Sequence, residues 1–464
     1  MSLGVLLAIF LVALVFVLVS IIKFKLHPFL ALLFGGLIMG ILSGMPLNKI
    51  AGSLAAGFGG TMQGIGIIII LGVALGSLLH ISGCTSQIAA LMLSITGQKN
   101  TPLAIALTGY IVSIPVFFDA AFVILVNLVK TLSRQGKIPF VTLVTCLAVG
   151  LITTHAMVIP TPGPIAVAAT MNVNIGWFLL YSIIVSLPAV LIGGVCYGKY
   201  LGTKEEYRSD FANAFEDELA AQPEEAAQAV AVDEKLPSGQ LGVFLIFFPI
   251  FVILMGTVAS MIFPKDSGAF IFFNFIGDKN IALLLGLLLA FVCLRPYLKT
   301  SFNEIMNEAA TQSGIILAIT GAGGAFGKII NDTGIGKQLV EGMTSLTDGT
   351  GMAILIACFI ISQVLRAAQG STTVALVTTS AIFAPVLANM PGVSGPLAAL
   401  AICAGGIGLS LPNDSGFWVV NRFSKFDVPG TMRVWTIGGT ISGVSALVII
   451  LVLSLFSGSL PGLL

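Results

Sequence analysis

PVFFDAAF, residues 115–122, holds a single carboxylate in an otherwise apolar segment. Asp119 is the only charged residue between Lys99 and Lys130. Charged side chains within membrane segments are rare and usually functional, because moving a charge into hydrocarbon is costly. Asp119 is therefore a candidate proton carrier, cation ligand or partner for substrate hydroxyls. The alternative is a structural carboxylate held by an ion pair or by hydrogen bonds.

The composition around this segment is that of a protein that crosses the membrane many times. The 464 residues are 57% hydrophobic and 9% charged, whereas soluble domains carry about 25% charged residues. Apolar runs of about 20 residues recur along the chain, starting with residues 1–22. The net charge of +1 gives no indication of nucleic-acid binding. The sequence predicts an all-α polytopic protein in the lipid bilayer.

One charged segment divides the chain into two similar halves. Residues 199–240 hold 14 of the 41 charged residues, which predicts a solvated linker. The first half, 1–198, and the second, 241–464, align at an offset of 251, with similar apolar segments in the same order. At this offset the Asp119 segment falls on the segment around Gly370. The pattern predicts an internal repeat.

The basic residues indicate how the two halves are oriented. In the first half they follow the first helix and cluster at 130–137; in the second they follow the second helix and cluster at 422–433. Cytoplasmic loops collect Lys and Arg, so these complementary positions predict inverted repeats. The N-terminus and the C-terminus are then outside, and the 199–240 linker is cytoplasmic.

Each half contains one predicted re-entrant hairpin and one predicted broken helix. The hairpins turn near 115–119 and 366–373, and the broken helices are interrupted at 154–164 and 410–416. Prolines end helices, and backbone freed from a helix is tolerated in a membrane only where it is buried in protein or lines a cavity. Interrupted helices in inverted repeats are typical of secondary transporters. The sequence therefore predicts one central substrate site.

Two further ionisable residues lie at these interruptions. His155 is either a proton relay or a hydrogen-bonded core histidine. Arg366 either binds a substrate carboxylate or forms a structural pair with Asp414 or Asp119.

Polar residues at the second-half interruptions add candidate substrate contacts. The hairpin tip offers N–H groups and hydroxyls from Gly370, Ser371, Thr372 and Thr373. At a helix N-terminus these groups favour an anion, although an ordinary N-cap explains them equally. Asn413 and Asp414 open another half-helix and offer contacts to substrate hydroxyls. No nucleophile–base pair and no His/Cys metal cluster is identifiable, so we expect neither an enzyme nor a metal or cofactor.

At these residues the sequence resembles the gluconate permease (GntP) family of gluconate:proton symporters, within the wider ion transporter superfamily. The matching stretches are IPVFFDAAFVIL, THAMVIPTPGPIAVAA, GAGGAFGKIINDTGIG, QGSTTVALVTT and LPNDSGFWVVNRF. The resemblance implies uptake of a small hydroxy monocarboxylate, such as gluconate, with protons across the bacterial inner membrane. It also implies a scaffold plus a transport domain, and a homodimer.

The resemblance places eight residues around the substrate. They are Asp119, Thr154, His155, Ser371, Thr372, Thr373, Asn413 and Asp414. Asp119 and His155 are the expected proton-coupling groups. Gluconate-type members tend to have His where this chain has Thr161 in TPGP, which keeps D-serine and glycerate open as substrates.

Two rival classes remain. A sodium-coupled carboxylate or amino-acid carrier would show the hairpin SxT motifs of sodium sites, and these are not well matched. A carrier of dianions would need more cationic residues. An ion channel would need rings of charges or carbonyls along a pore, and closed hairpins in inverted repeats do not favour one.

Overall fold

A computed structural model describes residues 3–97, 100–204, 236–333, 351–388, 390, 392–412 and 414–463. Within these ranges the secondary structure is helical and contains no strand. Most of the charged linker lies outside them. The helices in chain order are α1 (Leu3–Ile22), α2 (Pro28–Leu42), α3 (Leu47–Ile81), α4 (Cys84–Thr96), α5 (Thr101–Val112), α6 (Phe118–Gly136), α7 (Phe140–Met157), α8 (Pro162–Thr170), α9 (Ile175–Gly202), α10 (Gly239–Ile262), α11 (Gly268–Ile276), α12 (Lys279–Leu294), α13 (Phe302–Asp332), α14 (Met352–Gln369), α15 (Thr372–Leu387), α16 (Gly395–Gly405), α17 (Ser415–Ser424) and α18 (Val428–Ser454).

The all-α polytopic prediction is confirmed. Six helices in the described part are long and apolar enough to cross a membrane. A seventh is α3 if its two parts, which meet at a bend of 44°, are counted as one span. Large apolar side chains such as Phe251, Phe272 and Val292 point outward and are exposed, as expected for a surface that faces lipid tails rather than water.

The most deeply buried helix is α7, in which every residue is buried. It is surrounded by α5, α6, α9 and α18. Next to it, α8 packs against α15 and α16, α14 packs against the same two helices, and α17 packs against α6. Helices α5–α8 and α14–α17 therefore form a central bundle.

The four predicted interruptions are confirmed as breaks between helices of this bundle. They lie at 113–117, 158–161, 370–371 and 406–414. At the third break Gly370 has φ +69°, a left-handed conformation that costs glycine little and other residues more. The chain can therefore leave α14 there and enter α15 within two residues.

Outside the central bundle, α3 packs along α13. Ser53 donates a hydrogen bond to Asp332 across this contact at 2.7 Å, and Lys328 pairs with the same carboxylate at 2.7 Å, as the i,i+4 spacing predicts. At the other end of α3, a Cβ on Gly76 would lie 1.7 Å from the Pro115 carbonyl oxygen. Glycine thus lets the backbone of α3 touch the tip that carries Asp119.

Candidate substrate site

Three helix N-termini meet at one small cavity in the central bundle. The cavity has a volume of about 140 Å³ and lies where α6, α15 and α17 begin. Its lining residues are Phe117, Phe118, Asp119, Ile152, His155, Arg366, Gly370, Ser371, Thr372, Thr373, Asp414, Gly416 and Trp435. A helix N-terminus carries partial positive charge and free N–H groups. Three of them around one cavity favour an anionic ligand.

Arg366 and Asp414 form a buried ion pair in the cavity wall. Arg366 Nη2 lies 2.5 Å from Asp414 Oδ2, and the two side chains are 2% and 6% exposed. Asp414 Oδ1 also accepts the Gly416 N–H at 3.1 Å, so the carboxylate caps α17. Arg366 Nε and Nη1 are buried without a hydrogen-bond partner among the described residues. Arg366 therefore pairs structurally and still presents two donors.

Ser410 and Trp435 hold this ion pair in place, and neither residue was predicted from the sequence. The Ser410 hydroxyl donates to Asp414 Oδ2, and Trp435 Nε1 donates to Ser410 Oγ at 2.5 Å. The Trp435 ring packs on Phe118, with 4.4 Å between ring centroids. Ser410 lies within the interruption predicted at 410–416, whereas no sequence pattern near Trp435 indicated a role for that residue.

Asp119 and His155 bring two protonatable groups to the same cavity from different helices. Asp119 is in the first turn of α6, where a carboxylate suits the helix dipole, and its side chain is exposed. His155 is buried in the last turn of α7, with Phe117 beside it at 6.1 Å between ring centroids. Its Nδ1 has no hydrogen-bond partner within the described ranges.

The start of α15 contributes backbone donors. The Ser371 hydroxyl accepts the Val374 N–H at 3.4 Å, so for this side chain the N-cap interpretation is right. Thr372 and Thr373 occupy the first two helical positions, whose N–H groups have no intrahelical acceptor. Both residues line the cavity, so their N–H groups are available near a ligand.

The cavity brings together eight of the ten predicted site residues. Thr154 does not line it: this side chain is fully buried on α7, and its hydroxyl has no partner in the described part of the chain. Asn413 lies outside the described residues.

Comparison with known proteins identifies the family. The profile of the GntP family permeases matches residues 5–456. The chain belongs to the GntP permease family. The resemblance drawn from the motifs is therefore confirmed, and the protein is a multi-pass membrane permease.

Curated relatives of this permease match over nearly the whole chain. An uncharacterized permease of Haemophilus influenzae is 38% identical, covering 94% of this chain and 90% of the relative. The low-affinity gluconate transporter of Escherichia coli K12 is 33% identical, covering 94% of this chain and 95% of the relative. These relatives are named as permeases or transporters, which supports a transporter rather than an enzyme.

A solved structure supports the fold. The YdaH transporter of Alcanivorax borkumensis superposes with a TM-score of 0.66 over 93% of this chain and 98% of that chain, at 14% sequence identity. At this identity the match concerns the fold alone, and it agrees with an all-helical transporter architecture.

Proposed function

We propose that this GntP family permease takes up a small hydroxy monocarboxylate of the gluconate type together with protons. The observation that carries the proposal is the cavity at which three helix N-termini meet and whose wall includes a buried arginine. The likeness to the low-affinity gluconate transporter of Escherichia coli supports a sugar acid as substrate.

The substrate carboxylate binds between Arg366 and the start of α15. Arg366 is a permanent cation with donors that Asp414 does not occupy, which suits one oxygen of a carboxylate. The Thr372 and Thr373 N–H groups, together with the Thr372 hydroxyl, serve the carboxylate from another wall of the same cavity. Charge-assisted hydrogen bonds of this kind are about twice as strong as neutral ones.

The substrate hydroxyls face the polar groups of the cavity that do not bind the carboxylate. Asp119 and His155 offer an acceptor carboxylate and an imidazole, while Phe117 and Phe118 form an apolar wall beside them. The small cavity excludes bulky ligands. It suits a short chain with one acidic end and one hydroxylated end.

Charge balance supports coupling to a proton. Arg366 and Asp414 cancel each other, so an ionised Asp119 and a bound carboxylate together place two negative charges in a partly buried site, which is costly. A proton on Asp119 or His155 lowers this to one. A zwitterion such as D-serine adds no net charge, so its binding creates less demand for a coupled proton.

The architecture that we propose follows the sequence prediction. Residues 1–198 and 241–464 are inverted repeats around a transport domain, which is the central bundle, and the remaining helices form the scaffold. The matched order of the four breaks supports this repeat. The protein is a homodimer in the bacterial inner membrane, with both termini outside and the 199–240 linker in the cytoplasm.

Uptake into proteoliposomes tests the proposal. Gluconate, glycerate and D-serine are each offered under an imposed pH gradient or an imposed sodium gradient. We expect accumulation of gluconate or glycerate that is driven by the pH gradient and accompanied by proton movement. Accumulation driven by sodium at fixed pH would contradict the proposed coupling to protons. A preference for D-serine would contradict the proposed substrate class.

Thr372→Ala tests the proposed carboxylate site. Thr372 lines the cavity, and its side chain is 6% exposed. Loss of one hydrogen bond is expected to weaken substrate binding by about 1 kcal/mol, or about fivefold. Thr372→Ser keeps the hydroxyl and is expected to bind normally. Unchanged affinity of Thr372→Ala for every accepted substrate would remove this hydroxyl from the site.

A further inference from the structure

A second cavity adjoins the Asp119 side of the proposed substrate site. It has a volume of about 550 Å³ and lies between the end of α3, the 115–119 tip and the first part of α13. Phe117 and Asp119 line both this cavity and the smaller central one. Asp119 therefore stands at the junction between the substrate site and a larger space.

The larger cavity has a mostly apolar wall that carries a few polar and titratable side chains. Its lining includes His80 from α3 and Glu308 and Gln312 from α13. Both α13 side chains are exposed, and His80 Nδ1 is buried without a hydrogen-bond partner in the described ranges. A cavity of this size has room for several water molecules at about 30 Å³ each, and these polar side chains are the partners that such water needs. Water can thus connect these side chains.

We propose that Glu308 and His80 form the path by which protons pass between Asp119 and the water at one membrane face. The proposal rests on the proton coupling proposed above. In each transfer an O–H or N–H bond breaks at the donor and one forms at the next acceptor, so only the proton moves. The order is water, Glu308, His80 and Asp119, with cavity water between them.

The charges around this path separate it from the site of the substrate carboxylate. Asp119 and Glu308 place negative charge along it, which attracts protons and repels an anion. The remaining charged and titratable groups near Asp119 face the central cavity, namely His155, Arg366 and Asp414. We therefore place proton transfer on one side of Phe117 and carboxylate binding on the other.

A third cavity provides a contrast. It has a volume of about 420 Å³ and is lined by the other halves of α3 and α13. There the wall contains Lys328 and Asn331 instead of Glu308 and His80. The described residues that line this third cavity thus include no acidic side chain, unlike those of the larger cavity that reaches Asp119.

The experiment compares Glu308→Gln and His80→Asn, singly and together, in proteoliposomes with D-gluconate as the probe. Proton movement is followed with an entrapped pH dye. We expect substrate-coupled proton movement to slow about tenfold in the double variant, because positioned groups speed proton transfer by about 100-fold or more and cavity water replaces part of this. Gluconate–gluconate exchange and gluconate affinity at fixed pH should stay unchanged, since neither step requires net proton transfer along the path.

Glu304→Gln is the matched control. It removes the same charge one turn earlier on α13, outside the cavity lining, and glutamine can maintain the capping box with Ser301. We expect wild-type proton movement in this variant. Wild-type rates in the double variant would overturn the path while leaving proton symport intact. A wild-type protein that moves no protons with gluconate, glycerate or D-serine would overturn both proposals.

Discussion

Asp119→Asn is expected to abolish uphill uptake, with pH-driven accumulation falling at least about 100-fold. Asparagine mimics the protonated carboxyl permanently, so substrate can still bind but no proton is taken up and released with it, and the pH gradient no longer drives uptake. Because the Asp119 side chain is exposed to two cavities, the substitution should leave expression and folding intact. Accumulation of labelled substrate in proteoliposomes under a pH gradient measures the effect.

The control for this experiment is Asp119→Glu, which keeps a protonatable carboxyl group and should keep part of the uptake. His155→Gln separates the two candidate proton carriers, since only one of the two substitutions should remove coupling completely. Full proton-driven uptake in Asp119→Asn would exclude this residue as the carrier and leave His155.

The breaks in the helices were predictable because their causes are local. Proline removes a backbone donor, and Pro162 begins α8 at the predicted position. A glycine with positive φ ends α14 at Gly370. A lone charge such as Asp119 indicates that its segment is not a plain lipid-facing span. Each signal lies within a few residues of the feature it predicts, so a single sequence suffices to find it.

The partners of the site residues could not be predicted in the same way. Trp435 reaches Ser410 from 25 positions along the chain, and the Arg366–Asp414 pair, 48 positions apart, was one of several alternatives that the sequence left open. Such pairs depend on how distant helices pack together, which local patterns do not specify. Thr154 neighbours His155 in sequence but is not among the residues that line the cavity, so its contact with substrate stays a prediction.

Arg366→Gln is expected to have two effects of different origin. It leaves Asp414 buried without its cation, which costs about 3–5 kcal/mol of stability. It also removes the cation proposed to hold the substrate carboxylate, which should weaken binding at least about tenfold, since a hydrogen bond to a charged group contributes about 1.5–3 kcal/mol. Thermal unfolding in detergent and equilibrium binding of gluconate measure the two effects separately.

The double variant Arg366→Gln/Asp414→Asn distinguishes the structural role of the pair from its role in binding. Asp414→Asn alone should destabilise the protein, because Arg366 then keeps an uncompensated buried charge. With both charges removed, stability should recover towards that of the wild type, since neither ion remains unpaired. Gluconate binding should stay lost, because the recovered fold lacks the guanidinium donors. Recovered binding together with recovered stability would show that Arg366 serves the fold alone and that the carboxylate is held by the start of α15.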